Sequence, residues 1–159
     1  MKRAGRSALR LVSRVPVLGG LVLLVACRGA TGQLAPPGGP LAPCPSTPNC
    51  VSTEATDARH AMPALPFTGS PQDALNRARA ALLAEPRTRI VTERPGYLHA
   101  EATSRLFRFV DDVEVVVDST AGVVRFRSAS RVGRGDLGVN RRRMERFSER
   151  FRASAASTP

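Results

Sequence analysis

Between Arg125 and Arg143 the chain reads Arg-Phe-Arg-Ser-Ala-Ser-Arg-Val-Gly-Arg-Gly-Asp-Leu-Gly-Val-Asn-Arg-Arg-Arg, its densest polar run. Arginine stays charged at any relevant pH and grips carboxylates or phosphates in bidentate fashion. Glycines just ahead of a helix expose backbone N–H groups, and the helix dipole there favours an anion. The pattern predicts an anion site built from Arg127, Ser128, Ser130, Arg131, Gly133, Asp136, Asn140 and Arg143, with Arg134 as a further donor. A phosphate, a carboxylate or an anionic headgroup would suit it. The competing reading keeps the segment structural: Asp136 caps the helix and pairs with an arginine while the glycines turn the chain.

Two familiar patterns in this run carry little. Gly133-Arg-Gly135-Asp-Leu-Gly138 matches the dinucleotide fingerprint in form, but that fold needs a second parallel strand and an acid about 20 residues on, where the chain ends. Arg134-Gly135-Asp136 is an integrin tripeptide formed from three common residues. Other chemistry is sparser. The chain has no Gly-x-Ser-x-Gly elbow, and Lys2 is its only lysine, so Ser-x-x-Lys is excluded past the N-terminus. His60 and His99 with Cys44 and Cys50 fit no common zinc spacing. Asp111, Asp112, Glu114 and Asp118 form an acidic cluster that is expected to pair with the following arginines rather than hold a cation. No metal or cofactor is implied.

The elements that must position these residues begin with an address. Met1–Arg14 carries Lys2, Arg3, Arg6, Arg10 and Arg14 without an acid, and Val15–Val25 is apolar. Leu24-Val25-Ala26-Cys27 follows, which together reads as residues 1–26 forming an export signal ending in a lipobox. Cys27 would be cleaved to become residue one and acylated with palmitate-type chains. The apolar run is about half of the roughly 20 residues a spanning helix needs. Arg28, in place of the aspartate associated with inner-membrane retention in enteric bacteria, favours the periplasmic face of the outer membrane.

Removal of the signal changes the charge. The whole chain has 24 basic and 13 acidic residues, net +11; past residue 26 it has 19 basic against 13 acidic, net +6. Export and the absence of tryptophan, with Tyr97 the only tyrosine, argue against a nucleic-acid partner. Export also favours oxidation of the two remaining cysteines, Cys44 and Cys50, to a disulfide.

Residues 27–43 are rich in Gly, Pro and Ala and read as a flexible tether of roughly 50 Å full reach. Residues 44–152 are enough for one modest core, and 153–159 read as a fraying tail. The expected fold is α+β: an antiparallel meander of four to five strands, two helices packed on it, and an irregular disulfide-containing segment ahead of them. Ser70-Pro71-Gln72-Asp73 reads as a helix start, and Pro86 ends that helix near Glu85. Strands are predicted at Arg89–Glu93, Tyr97–Thr103, Leu106–Val110, Val113–Val117 and Val123–Ser130. A register with Val115 facing Val124 and Glu114 facing Arg125 groups apolar with apolar and charge with charge. A last helix over Asn140–Arg152 presents Met144, Phe147 and Phe151 on one stripe.

Four stretches carry a resemblance. They are Cys44-Pro-x-x-Pro-Asn-Cys50-Val-Ser, the later His60 and Pro63, Phe109-Val-Asp-Asp112, and Arg127-Ser-Ala-Ser-Arg-x-Gly-x-x-Asp136-x-Gly-x-Asn140-Arg-x-Arg143. In that order they resemble the domain of unknown function 1499 family over nearly all of residues 44–151. The resemblance implies a small envelope-associated domain and carries no catalytic role; Arg134 stands where the family often has an aromatic or small polar residue.

The functional expectation is a lipid-anchored envelope protein that binds an anionic small molecule, a lipid headgroup or an envelope partner and does not catalyse. One alternative is a hydrolase with Asp112 or Asp136 as base and Arg131 or Arg143 stabilising an anion. Another is a structural interaction protein, which would expose an apolar patch.

Overall fold

Polar and apolar residues alternate along most of the second half of the chain, and such alternation builds a sheet with two distinct faces. A computed structural model describes residues 29–36 and 39–155. The signal, Cys27, Arg28 and residues 156–159 lie outside the described residues. In chain order the elements are β1 (Cys50–Ser52), β2 (Leu65–Pro66), α1 (Pro71–Leu83), β3 (Thr88–Arg94), β4 (Tyr97–Thr103), β5 (Val110–Asp118), β6 (Val123–Ser130) and α2 (Val139–Ala155). The sheet is antiparallel in the order β1-β6-β5-β4-β3, with β2 also on β6. The fold is therefore α+β, with the four-strand meander expected from the sequence and two helices.

Local chemistry sets the first helix. Ser70 accepts from the Asp73 N–H at 3.0 Å, Pro71 occupies the first turn, and the helix closes at Ala84, two residues before Pro86. Its buried stripe is Ala74, Leu75, Ala78, Ala81 and Leu82. The last helix buries Met144, Phe147 and Phe151, and it runs on to Ala155, so residues 153–155 are helical where a frayed tail was expected. Both helices cover the sheet face that carries Leu98, Ala100, Val113, Val115, Val124 and Phe126. Each fully buried large apolar side chain contributes about 2–3 kcal/mol relative to exposure.

The second face differs from expectation. Residues 29–43 were expected as a free tether, yet the described part of this stretch lies on the sheet. Ala35 and Leu41 pack with Tyr97 and Val116 in a small second core. The Ala35 N–H donates to Glu114 Oε1 at 2.7 Å, and the Gly32 N–H reaches Asp112 Oδ2 at 3.3 Å. Buried carboxylates need donors, and the backbone of this stretch supplies them.

Two details of the strands also shift. Leu106–Phe109 is not a strand, and Val110 instead opens β5: Ser104 and Phe109 close a hairpin loop, with the Ser104 N–H on Phe109 O at 2.8 Å and the Phe109 N–H on Ser104 Oγ at 2.9 Å. In the β5–β6 ladder Val115 faces Phe126 and Glu114 faces Arg127, two places from the predicted partners. Asp118 Oδ1 takes the Thr120 and Ala121 N–H groups, and Gly122 turns at φ +65°, which moves Gly122 from the ladder into the turn. An even shift keeps every side chain on its predicted face.

Candidate functional site

Strand alternation divides the predicted anion site. Arg127 and Arg131 point to the face covered by residues 29–36 and 39–42, whereas Ser128 and Ser130 point to the helix face. The eight residues therefore form two networks and not one pocket.

On the helix face, fully buried Asn140 at the start of α2 is the node. Its Oδ1 accepts from Ser128 Oγ at 2.5 Å and from Arg143 Nη1 at 2.7 Å. Its Nδ2 faces Asp136 Oδ2 at 2.8 Å, Ser130 Oγ at 2.9 Å and the Asn49 carbonyl at 3.2 Å. Arg143 Nη2 donates to Asp111 Oδ2 at 2.6 Å. Asn49 in turn donates to the Gly133 carbonyl at 2.9 Å. The Asp136 carboxylate takes the Gly138 N–H at 2.9 Å and the Asn140 N–H at 2.8 Å. An internal carboxylate thus occupies the helix N-terminus where an anionic ligand was expected, and the dipole stabilises it there.

On the opposite face, Asp112 accepts from Arg131 Nε at 2.9 Å and Nη2 at 2.7 Å, and lies 2.7 Å from His99 Nε2. Burial alone would raise the Asp112 carboxyl; the hydrogen bonds from Arg131 and His99 outweigh it and hold the group well below the usual carboxylate range. Those bonds to Asp112, with Glu101 adding another at 2.6 Å, push the Arg131 guanidinium further up. Glu101 is itself lowered: burial opposes, but Arg131 and Arg89 prevail. Fully buried Glu114 binds the Tyr97 hydroxyl at 2.9 Å, and burial with the neighbouring Glu114 charge raises the Tyr97 phenol. Arg127 lies 3.8 Å from Glu114 Oε2, and burial lowers its guanidinium. The acidic cluster is therefore matched to arginines: Asp111 to Arg143, Asp112 to Arg131, Glu114 to Arg127 and Asp118 to Arg125.

Cys44 and Cys50 form a disulfide, and the ring of His60 bonds Asp57 Oδ1 at 2.8 Å. His99, on the sheet, is held by Asp112.

A pocket of about 350 Å³ opens between the β4–β5 loop and the β6–α2 loop. Phe109, Val132 and Val139 give it apolar walls, and Asp111, Ser130 and Asp136 bring polar groups from the helix-face network. Gly133 and Gly135 flank exposed Arg134 at its edge. Of the eight predicted residues, only Ser130, Gly133 and Asp136 line it. Reading Leu106–Val110 as a strand hid the contribution of Phe109. The adjacent Leu106 and Phe107 break the alternation a half-buried strand requires, and that is the signal that marks a loop.

The architecture defines a class: a small α+β domain with a buried arginine–carboxylate network on each face of one antiparallel sheet. Residues 40–151 match the protein family of unknown function DUF1499, and the chain belongs to that family. No curated protein matches the chain.

Proposed function

We propose that this chain is an exported, lipid-anchored envelope protein whose domain binds an anionic amphiphile and does not catalyse. The observation that carries the reading is the pocket of about 350 Å³ between the two loops, within the range of small-molecule sites and walled by Phe109, Val132 and Val139. An acyl or other apolar group fills the walls, and Arg134 at the edge meets the charged end. The lipobox ending at Cys27 supports the envelope address.

The hydrolase alternative needs a carboxylate free to take a proton. Asp112 is held by Arg131 and His99, Asp111 by Arg143, and Asp136 by the helix N–H groups and Asn140. Arg131 and Arg143 are spent on the same pairs. This arrangement favours binding.

The test uses a dansyl-labelled fatty acid with the unlipidated mature chain. Gly135 lines the pocket and has open space around an added Cβ, so Gly135→Phe puts a bulky ring at the pocket wall. Saturable fluorescence enhancement in the wild type, lost in Gly135→Phe and weakened in Arg134→Ser, is the expected result. Equal binding by wild type and Gly135→Phe defeats the pocket assignment. Intact mass of the protein taken from native membranes tests the acyl group on Cys27 separately.

A further inference from the structure

Seven large apolar residues are exposed among the described residues, and five of them gather at one end of the sheet: Leu106, Phe107, Phe109 and Leu137 in the two loops, and Val139 at the first residue of α2. The three most exposed are Leu137 at 93%, Leu106 at 79% and Phe107 at 66%. Clustering of this kind marks an interaction surface, since scattered exposure is ordinary. The two loops meet: Phe109 and Val139 line one pocket, and Phe107 stacks on Phe109 with centroids 5.5 Å apart.

The charge left unpaired on this end has one sign. The hairpin tip pinned by Ser104 and Phe109 reads Arg105-Leu106-Phe107-Arg108, and Arg134 is exposed on the facing loop. None of the ion pairs among the described residues uses Arg105, Arg108 or Arg134. The acids of the region are occupied: Asp111 by Arg143 and Asp136 by the start of α2. Apolar side chains among free arginines complement an anionic lipid surface, where the rings enter the headgroup region and the guanidinium groups meet phosphates. An acidic protein partner is the competing occupant, and it predicts no emission shift on anionic vesicles in the test below.

A separate observation places Gly29 at the same end. A Cβ added to Gly29 would lie 2.7 Å from Val132 Cγ1, and Val132 lines the pocket between the two loops. Cys27, the proposed lipidation site, precedes Gly29 by two residues in the sequence. We infer that the β4–β5 and β6–α2 loops form a docking surface for an anionic phospholipid bilayer, at the end of the domain where Gly29 lies. The domain then lies against the membrane and does not hang from a long tether. The statement about the tether rests on the proposed lipidation at Cys27; the surface argument does not.

The chain has no tryptophan, so Phe107→Trp gives a single reporter at the tip. The unlipidated chain begun at Arg28 retains all described contacts, which lie within residues 29–155. It is mixed with vesicles of phosphatidylcholine and phosphatidylglycerol in equal parts, or of phosphatidylcholine alone. The expected result is a blue-shifted emission and co-sedimentation with the anionic vesicles only, relieved by salt. Replacing Arg105, Arg108 and Arg134 by serine weakens partition about fivefold per residue. Leu137→Ser weakens it without changing the far-ultraviolet circular dichroism. No emission shift on anionic vesicles at low salt, or equal partition by the triple-arginine variant, overturns the surface. Neither result depends on the acyl group or on a ligand in the pocket, so failure here is distinct from failure of the lipoprotein or pocket readings.

Discussion

Arg131 grips Asp112 with two hydrogen bonds, Nε to Oδ2 at 2.9 Å and Nη2 to Oδ1 at 2.7 Å, beneath the stretch that was expected to be a free tether. The pair is buried, with His99 on one side and the Gly32 N–H above. Its partners are the protein itself, which is why the arginine-rich segment does not form the open anion site its composition predicts.

Asp112→Asn leaves Arg131 with Glu101 as its remaining partner, and breaking a buried pair costs about 3 kcal/mol. Urea unfolding at neutral pH measures the loss. The folded Asp112 carboxyl sits below its unfolded value, so its stabilisation is complete above about pH 4 and fades as pH falls toward the depressed folded value. The acid limb of the stability profile is therefore shallower in Asp112→Asn. An unchanged limb refutes the assignment.

Arg143→Met strands the Asp111 carboxylate in the core and destabilises by about 3–5 kcal/mol. Asp111→Leu in the same chain removes the stranded charge and recovers much of the loss. A double-mutant cycle reads the coupling, and purely additive single effects contradict the pairing.

Glu85 lies buried between the helices and receives Arg146 at 2.6 Å and also Arg150. Burial would raise its carboxyl, but the two arginines hold it low. Both arginines are more than a third exposed, so solvent screening limits the effect. Glu85→Gln lowers stability by about 1 kcal/mol, and high salt narrows the gap between wild type and variant. A gap that salt leaves untouched places the effect in packing.

The Ala35 amide donates to a buried carboxylate 79 residues away. Native-state hydrogen exchange at Ala35 is expected to be about 100-fold slower or more than for an unstructured chain, and Glu114→Gln raises it. Exchange at the unstructured rate restores the free-tether reading of this stretch.

Reduction of Cys44–Cys50 frees a loop whose closure contributes about 2 kcal/mol, less what Pro45 and Pro48 already restrict. Cys50 pairs with Ala129 on β6, and its neighbour Asn49 holds the Asn140 amide. A domain of this size loses about 4 °C in Tm per kcal/mol. Thermal melts with and without reductant measure it, and coincident melts refute a structural role.

Local chemistry in the sequence determined much of this protein. Ser70, Pro71 and Pro86 bound the first helix because capping and proline geometry act within a few residues. Alternation marked Tyr97–Thr103 and Val123–Ser130 as strands with the observed ends, and the Met144–Phe147–Phe151 stripe marked the last helix. Two cysteines close in sequence pointed to their bond. Tertiary structure alone decided what covers each face. Period-two alternation says that His99, Glu101, Asp112, Glu114, Arg127 and Arg131 share a side of the sheet, but it is equally consistent with water there. That side is instead sealed by residues 29–36 and 39–42, through bonds spanning 79 and 80 residues that leave no local trace. The same long-range pairing consumed the arginines of the polar segment. It left the pocket and its apolar, basic rim to loops whose side chains meet only once the sheet brings its strand ends together.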